Sequence, residues 1–565
     1  MTLLATLAKV LRRRWRYLAL FAIGVLIAAV VLTQFRSHPF ITTPLKPLPQ
    51  HPLIRVYMNH SQAHRYDEPY RPSSREGEDL EAIMIAAVEA ARSRIDVAVQ
   101  EFRLPQLAKA LAAKHQAGVP VRVIMENTYT VPWATYGAAM VNRLDPRMRE
   151  RYNDWKALVD TNGDGRLSPQ ELAERDVLTI FAKAQVPWLD DTADGSKGSL
   201  LMHHKFIVID GQQVVATTAN FTLSDIHGDI GRPETRGNAN SLLVIDSPAV
   251  AQLFEEEFNL MWGDGPGGQL DSRFGVQKPF RPTRQVMVGD AAVAVRFSPT
   301  SRSRPWSEST NGLIGQWLAR ARQQIDLALF VFSDQELANV LEEGHKRGVQ
   351  IRALIDEGFI YRDFSEALDM LGVAMANTAQ ARRGQCYYEA GNRPWQTPLT
   401  TVGTPLLSEG DKLHHKYGLI DQQTVIVGSH NWSEAANRGN DEFLLVIQHP
   451  TVAAHYEREF ERLYANSRLG LPTHVRDRIA GQLAECGGVI GTRPARATTD
   501  SGAPKVNLNT ATAAELQTLT GVGPKLAAEI LKARQQKPFT SWAEVDAVPG
   551  IGPKLLERLQ EQATL

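Results

Sequence analysis

The amino-acid sequence predicts an α/β fold made by duplication. Two α/β/α sandwich halves share a pseudo-two-fold axis, with a membrane-spanning helix before them and a small all-α module behind. Three repeats in the 565 residues predict it. His203-His204-Lys205, Asp210 and Thr217-Thr218-Ala219-Asn220 return as His414-His415-Lys416, Asp421 and Gly428-Ser429-His430-Asn431, each 211 positions on, as 414 is from 203. An apolar strand over 95–99, a helical pattern over 107–115, Gly118 and a second strand over 121–125 return over 325–329, 337–346, Gly348 and 351–355. These lie 230 positions on, as 348 is from 118. Arg236-Gly237-Asn238-Ala239-Asn240, before Ser-Leu-Leu-Val-Ile, matches Arg438-Gly439-Asn440-Asp441-Glu442, before Phe-Leu-Leu-Val-Ile. Apolar strands alternating with helices predict right-handed crossovers in sheets covered on both faces.

Whole-chain composition sets bounds. The chain is too long for one core and suggests three or four domains. Lysine plus arginine and aspartate plus glutamate both number 62, so no net field advertises a polyanionic partner, and any claim on nucleic acid rests on local features. Two cysteines, Cys386 and Cys486, allow at most one internal disulfide and do not fix the redox compartment.

Taken in order, residues 1–16 form a basic tail with Arg12, Arg13, Arg14 and Arg16, and 17–33 form an uncharged apolar run. Seventeen residues is the short end for a spanning helix, and the arginines place the N-terminus in the cytoplasm. A cleaved signal peptide is the competing reading, but no convincing small-residue cleavage site follows the run. Both readings export the rest of the chain. Residues 34–52, with five prolines between 37 and 52, read as a linker. The first half runs over 53–264, a Gly/Pro-rich linker over 265–290, the second half over 291–471 and a further linker over 472–504. Residues 505–565 complete the chain.

Each histidine motif places a titratable imidazole, a cation and an amide at the ends of neighbouring strands, since strand side chains alternate with a period of two. That set can hold a phosphate and attack it or pass it a proton.

The offset falls from 230 to 211 inside the first half, so an insertion lies between its second strand and its histidine. About residues 145–180 hold it. Within it, Asp160, Asn162 and Asp164 occupy positions 1, 3 and 5 of a twelve-residue loop. Gly165 permits the turn at position 6, Arg166 offers its carbonyl, Ser168 takes position 9 and Glu171 can bind bidentate at position 12. This looks like an EF-hand calcium loop, and calcium there acts as a structural staple.

The C-terminal module has its own repeat, Gly521-Val522-Gly523-Pro524-Lys525 and Gly550-Ile551-Gly552-Pro553-Lys554. Glycines let the backbone approach a phosphate, and proline suits the first helical turn, whose free N–H groups bind anions. Together with Val506-Asn507-Leu508-Asn509-Thr510-Ala511, these turns resemble the tandem helix-hairpin-helix domain of bacterial competence DNA receptors. Such domains grip the DNA backbone without reading sequence. Gly521, Gly523, Lys525, Gly550, Gly552 and Lys554 are the candidate contacts.

The doubled His-x-Lys-x4-Asp-x6-Gly-Ser-x-Asn pattern resembles the phospholipase D superfamily over most of 80–470. The second copy fits fully; the first departs at Thr217 and Thr218. The resemblance implies phosphodiester hydrolysis through a covalent phosphohistidine, with no catalytic metal. His203 or His414 attacks phosphorus as neutral imidazole, and the other protonates the leaving oxygen and then activates water. Lys205, Lys416, Asn220 and Asn431 stabilise charge on the non-bridging oxygens, and Asp210, Asp421 and Ser429 complete the motif. Related enzymes carry an acid that hydrogen-bonds the histidine, a role that Glu442 fits and Asn240 does not; the two histidines are therefore expected to be inequivalent. A two-histidine mechanism implies a bell-shaped pH profile.

Three functions follow as expectations. The first is a nuclease anchored in a bacterial inner membrane by a single span, its catalytic part periplasmic or extracellular and its C-terminal module bringing DNA. The second is a phospholipase D or transphosphatidylase held beside its phospholipid. The third is an inactive DNA-tethering protein, which two intact His-Lys pairs disfavour.

Overall fold

The computed structural model describes residues 45–196, 200–377, 386–389, 391–485 and 490–492. It also describes 506–565 except positions 518, 520, 521, 541, 547, 550, 552–554, 557, 558 and 560–562. The basic tail, the apolar run at 17–33 and Cys486 lie outside these residues. Among the described residues no helix is long and apolar enough to cross a membrane.

The first half is a seven-stranded mixed sheet. Its strands are β1 (Ile54–Met58), β2 (Ile95–Val99), β3 (Val121–Met125), β4 (Trp188–Asp190), β5 (Lys205–Ile209), β6 (Gln213–Thr217) and β7 (Ser241–Asp246), in the order β1-β7-β6-β5-β2-β3-β4. β2 and β3 pair in parallel, Ile95 opposite Val121, through the helix Pro105–Gln116. That helix starts on Pro105 at its first turn and buries Leu107, Ala108 and Leu111 on one face.

The second half repeats the arrangement. Its strands are β8 (Arg284–Val288), β9 (Ala291–Ser298), β10 (Gln324–Leu329), β11 (Gln350–Ile355), β12 (Val402–Pro405), β13 (Lys416–Ile420), β14 (Thr424–Gly428), β15 (Glu442–Gln448) and β16 (Ser467–Leu469). Their order is β8-β9-β15-β14-β13-β10-β11-β12-β16, so the central seven follow the first sheet strand for strand. The predicted duplication is the architecture.

Three large apolar clusters hold the two sheets. One lies under the outer helices of each sheet, and a third, containing Phe206, Phe254, Phe297, Tyr417 and Phe443, draws on both sheets and on the helices Pro248–Trp262 and Pro450–Ala465. Each such side chain contributes about 1.5–3 kcal/mol on leaving water.

Contacts divide the chain into two units, residues up to 373 with 394–476, and 374–393 with 477–565. Three stretches differ from the sequence reading. The end of the 265–290 linker is β8, which joins the second sheet by a hairpin to β9. The 472–504 linker holds the helix Thr473–Glu485, whose sparse apolar residues hid it among polar ones. The all-α module carries a short parallel pairing, Val506–Asn507 with Ala563–Thr564, where its two ends meet.

Candidate active site

Each histidine segment leaves its own sheet and pairs with the other half. The His203 N–H donates to the Asp441 carbonyl at 2.9 Å, and the Asp441 N–H returns to Leu201 at 2.9 Å. Symmetrically, the His414 N–H donates to the Ala239 carbonyl at 3.0 Å, and the Ala239 N–H returns to Lys412 at 2.8 Å. The crossing brings His203, His414, Asn220 and Asn431 to the wall of one cleft of about 560 Å³. Both histidines are only 6% exposed, so whatever reaches them enters a narrow floor.

The partners differ. His203 Nδ1 contacts Glu442 Oε2 at 2.7 Å, and Asn440 Nδ2 holds the other carboxylate oxygen at 3.0 Å. His414 Nδ1 contacts Asn240 Oδ1 at 3.0 Å. Asn240 Nδ2 donates to the carbonyls of Asp225 and Asn238 at 2.9 and 3.1 Å, which fixes its oxygen toward the ring. Both rings therefore carry their proton on Nδ1 and turn Nε2 to the cleft.

The lysines lie behind them, fully buried. Lys205 Nζ donates to Gln100 Oε1 at 3.2 Å and to the His203 carbonyl at 3.0 Å. Lys416 Nζ donates to the His414 carbonyl at 2.7 Å and sits 5.1 Å from the Phe330 ring centre. Gln100 and Phe330 are 230 positions apart, so one duplicated position carries an amide in one half and a phenyl ring in the other. Burial pushes Lys205 down to about 8 against the pull of Glu442 and Asp225, and burial with the neighbouring Lys205 ammonium holds Lys416 well below the usual lysine range. Burial, then the ammonium groups, likewise holds His203 and His414 well below 6.5. Burial raises Glu442. A cleft so poised favours an anion, which relieves the clustered cations.

Ser429 and Thr218 do the same work in the two copies. Ser429 Oγ accepts the Phe443 N–H at 3.1 Å, and Thr218 Oγ1 accepts the Ser241 N–H at 3.0 Å. Before Ser429, a Cβ on Gly428 would meet the Phe443 carbonyl oxygen at 2.2 Å. The corresponding Thr217 instead donates its hydroxyl to the Ser241 carbonyl at 2.7 Å, which is how the first copy accommodates its departure from the motif. The side-chain oxygens of Asn220 and Asn431 are buried and accept no hydrogen bond from the described protein, so these amides are available to a ligand.

Asp210 and Asp421 are not brought to the cleft. Each sits in a left-handed turn (φ 55° and 50°) at the far end of its motif strand. The Asp210 carboxylate accepts the N–H groups of Arg92, Ser93 and Arg94, and that of Asp421 those of Arg322, Gln323 and Gln324. They fasten a helix-to-strand turn.

Several residues escaped the sequence reading. His204 Nε2 contacts Glu257 Oε1 at 3.3 Å and His415 Nε2 contacts Glu459 Oε1 at 3.0 Å, which pins each motif strand to the helix packed on it. Glu257 and Glu459 are 202 positions apart, as are Asn240 and Glu442, and that shared offset is the signal that finds them. Lys278, from the inter-half linker, is fully buried against both Glu257 and Asp441. Asp225, Asn238 and Lys412 also line the cleft.

The insertion forms one wall. Arg151, Asp154 and Trp155 of the helix Pro146–Val159 face the cleft, and Arg151 lies over the Tyr129 ring at 4.5 Å. The calcium-like loop follows directly. Gly165 takes φ 79°, and its N–H reaches Asp160 Oδ2 at 2.9 Å; Asn162 Oδ1 accepts from Asp164 and Asp164 Oδ1 from Arg166. Glu171 accepts the N–H groups of Thr161 and Ser168, both at 3.0 Å, and these bonds lower it to about 2. Asp160, Asn162, Asp164 and Glu171 offer oxygen donors, the class that suits a hard cation such as calcium, and here they accept N–H groups of the loop itself. Ser168 and Glu171 also form a capping box on the helix Pro169–Arg175. Elsewhere, His51, Asp290 and His449 gather ligand atoms within 4.8 Å. There both Nδ1 atoms accept backbone N–H groups, which leaves the protons on Nε2 facing the carboxylate, a hydrogen-bonded clasp.

In the C-terminal module, Gly523 precedes the helix Pro524–Gln536 as its N-cap and makes no side-chain capping bond. Lys525 lies in that first turn; Gly521, Gly550, Gly552 and Lys554 lie outside the described residues.

Comparison with known proteins adds three findings. Residues 84–262 and 314–464, more than half of the chain, match the family model of the cardiolipin synthase, phospholipase D-like domain, and 501–564 match the helix-hairpin-helix motif. The mitochondrial cardiolipin hydrolase of Mus musculus is 27% identical over 164 residues, 29% of this chain and 61% of that protein. The first curated relatives are thus matched over about half to three-fifths of their length. Among solved structures, the phospholipase D family member Nuc from Salmonella typhimurium is 21% identical (TM-score 0.24), covering 32% of this chain and all of that one. The phosphatidylserine synthase of Haemophilus influenzae is 10% identical (TM-score 0.45), covering 78% and 96%.

Proposed function

Because the chain belongs to the family of cardiolipin synthase, phospholipase D-like domains, we propose that it is a phosphodiesterase working through a covalent phosphohistidine. The observation that carries this reading is the convergence of two Nδ1-anchored imidazoles on one cleft. One Nε2 attacks phosphorus while the other ring, as imidazolium, gives its proton to the leaving oxygen. The second ring, now neutral, takes a proton from water as that water displaces the first from phosphorus. Lys205, Lys416, Asn220 and Asn431 hold the non-bridging oxygens.

The substrate we propose is DNA. What supports it is the helix-hairpin-helix match in the same chain, a motif whose free helix N-terminus suits a backbone phosphate. A membrane anchor at 17–33 and calcium in the 160–171 loop complete the proposal. The second reading, a phospholipase D or transphosphatidylase, is favoured by the family description and by relatives named as cardiolipin hydrolases.

The test supplies the purified protein with plasmid DNA, single-stranded DNA and phosphatidylcholine or cardiolipin vesicles, in calcium and in EDTA. DNA cleavage lost in His203→Ala and His414→Ala is the expected result. Lipid turnover with intact DNA overturns the nuclease, and no turnover of any diester overturns the phosphodiesterase.

A further inference from the structure

The two halves carry their buried carboxylates in different places. In the second half, the residue that contacts the opposing imidazole is Glu442, at the start of β15; its counterpart in the first half is Asn240, a neutral amide. Duplication therefore leaves His414 without the charge that His203 has.

The missing carboxylate arrives from another position. Asp225, in the short helix Leu223–Ile226, lies with Oδ1 3.5 Å from His414 Nδ1, and the residue is 3% exposed. Its counterpart 211 positions on is Ala436, which cannot supply a charge. Thus one half pairs Asn240 with Asp225, and the other pairs Glu442 with Ala436.

The hydrogen bonds around the two acids correspond. Asn440 Nδ2 donates to Glu442 Oε1 at 3.0 Å; the equivalent Asn238 Nδ2 donates to Asp225 Oδ1 at 2.5 Å. The same asparagine thus holds a carboxylate in both halves, although the carboxylate reaches it from a helix in one and a strand in the other. Asp225 Oδ2 is held by the Asn220 N–H at 2.7 Å, and Asn220 itself lines the cleft.

We propose that Asp225 is a positioning residue of the active site, the displaced equivalent of Glu442, which favours the charged form of His414 while Asn240 fixes its tautomer. This rests on the phosphodiesterase reading above. A cationic ring is required in either role of His414, as proton donor or as phosphorylated imidazole. A carboxylate beside Nδ1 stabilises that charge, whereas an amide oxygen orients the ring with less electrostatic effect. The division of labour also explains the double contact of Asn240 with the backbone carbonyls of Asp225 and Asn238, which holds its oxygen against the ring independently of the Asp225 carboxylate.

The experiment uses the full chain and bis(p-nitrophenyl) phosphate, a small diester that bypasses the choice between DNA and lipid. Asp225→Asn is expected to lower kcat about 10- to 100-fold, with KM changed far less, since Asn240 still orients the ring. Returning the acid to the strand position, in Asp225→Asn/Asn240→Asp, is expected to restore kcat to within several-fold of the parent, which a merely structural aspartate would not permit. Should the single variant fail to fold, the double variant decides alone: near-parent kcat supports the proposal, and a folded double variant as slow as His414→Ala overturns it. Unchanged kcat in a folded Asp225→Asn overturns it too. A parent protein that hydrolyses no diester refutes the phosphodiesterase reading instead, a result distinguishable from all of these.

Discussion

His203 belongs to the first half of the chain and Glu442 to the second, yet the ring and the carboxylate meet at 2.7 Å in a buried hydrogen bond. The reciprocal contact, His414 with Asn240, also crosses. Neither half can therefore orient its own histidine. Glu442→Gln preserves the size and the hydrogen bond of the side chain but removes the charge that stabilises a cationic His203. Its kcat/KM is expected to fall about 10²- to 10³-fold with the melting temperature nearly unmoved. Steady-state hydrolysis of bis(p-nitrophenyl) phosphate with a parallel thermal melt checks it; activity within twofold of the parent refutes the role.

Burial of the histidines and lysines gives a pH signature. In the fold His203 and His414 protonate well below 6.5, and Lys205 near 8 against 10.5 in a free chain. The unfolded chain therefore binds more protons, and stability from these groups rises with pH: for Lys205 between about 8 and 10.5, and for the histidines from below 6.5 up to 6.5. A bound phosphodiester anion reverses the bias and draws protons in. Dimethyl phosphate, whose charge is constant over the range, is expected to bind about tenfold tighter at pH 6 than at pH 9. Calorimetry at the two pH values in buffers of different ionisation enthalpy reads both affinity and proton uptake. Equal affinity at both would refute the electrostatic account.

The sequence made the duplication legible because its signals are local. A strand–helix–strand unit repeats within about thirty residues, and a His-x-Lys alternation lies on one strand. The pairing across the axis was not legible, since an offset shows which residues correspond but not which half they face. Asp210 and Asp421 show the opposite failure. Seven residues along an extended strand span about 20 Å, so an aspartate at that spacing from its histidine belongs to the far end of the strand, where both are found. Asp225 carried no signal because its counterpart is alanine and repetition could not expose it. Glu257 and Glu459 lay within reach of the 202-residue offset that also relates Asn240 to Glu442, but only by a comparison of helices as well as motifs. Composition misread Thr473–Glu485 as linker because that helix is largely polar.

The insertion links the proposed calcium loop to the cleft wall. The loop that begins at Asp160 continues the helix whose Arg151, Asp154 and Trp155 line the cleft, and Lys156 Nζ is tied to the Gly165 carbonyl at 2.7 Å. Calcium at millimolar concentration is expected to raise the melting temperature by about 3–8 °C over EDTA, and Asp160→Ala to abolish the rise. Differential scanning calorimetry with calcium, magnesium and EDTA checks it. A melting temperature indifferent to calcium removes the ion from the proposal and leaves the loop as a hydrogen-bonded turn.

On the nuclease reading, the C-terminal module separates holding DNA from cutting it. Its helix Pro524–Gln536 starts after Gly523 with no side-chain cap and has Lys525 in the first turn, and the sequence repeats that arrangement at Lys554. Contacts of this kind go to phosphate, so their loss weakens all DNA sequences alike. Removing 505–565 is expected to leave hydrolysis of bis(p-nitrophenyl) phosphate within twofold of the parent and to weaken duplex DNA binding about tenfold or more. If each lysine neutralises one phosphate, the slope of log affinity against log salt becomes shallower by about 2. Fluorescence anisotropy with a labelled duplex at three salt concentrations measures both quantities. An unchanged affinity and slope, with small-diester turnover intact, would mean that the module holds something other than DNA, and the lipid reading of the cleft would then take precedence.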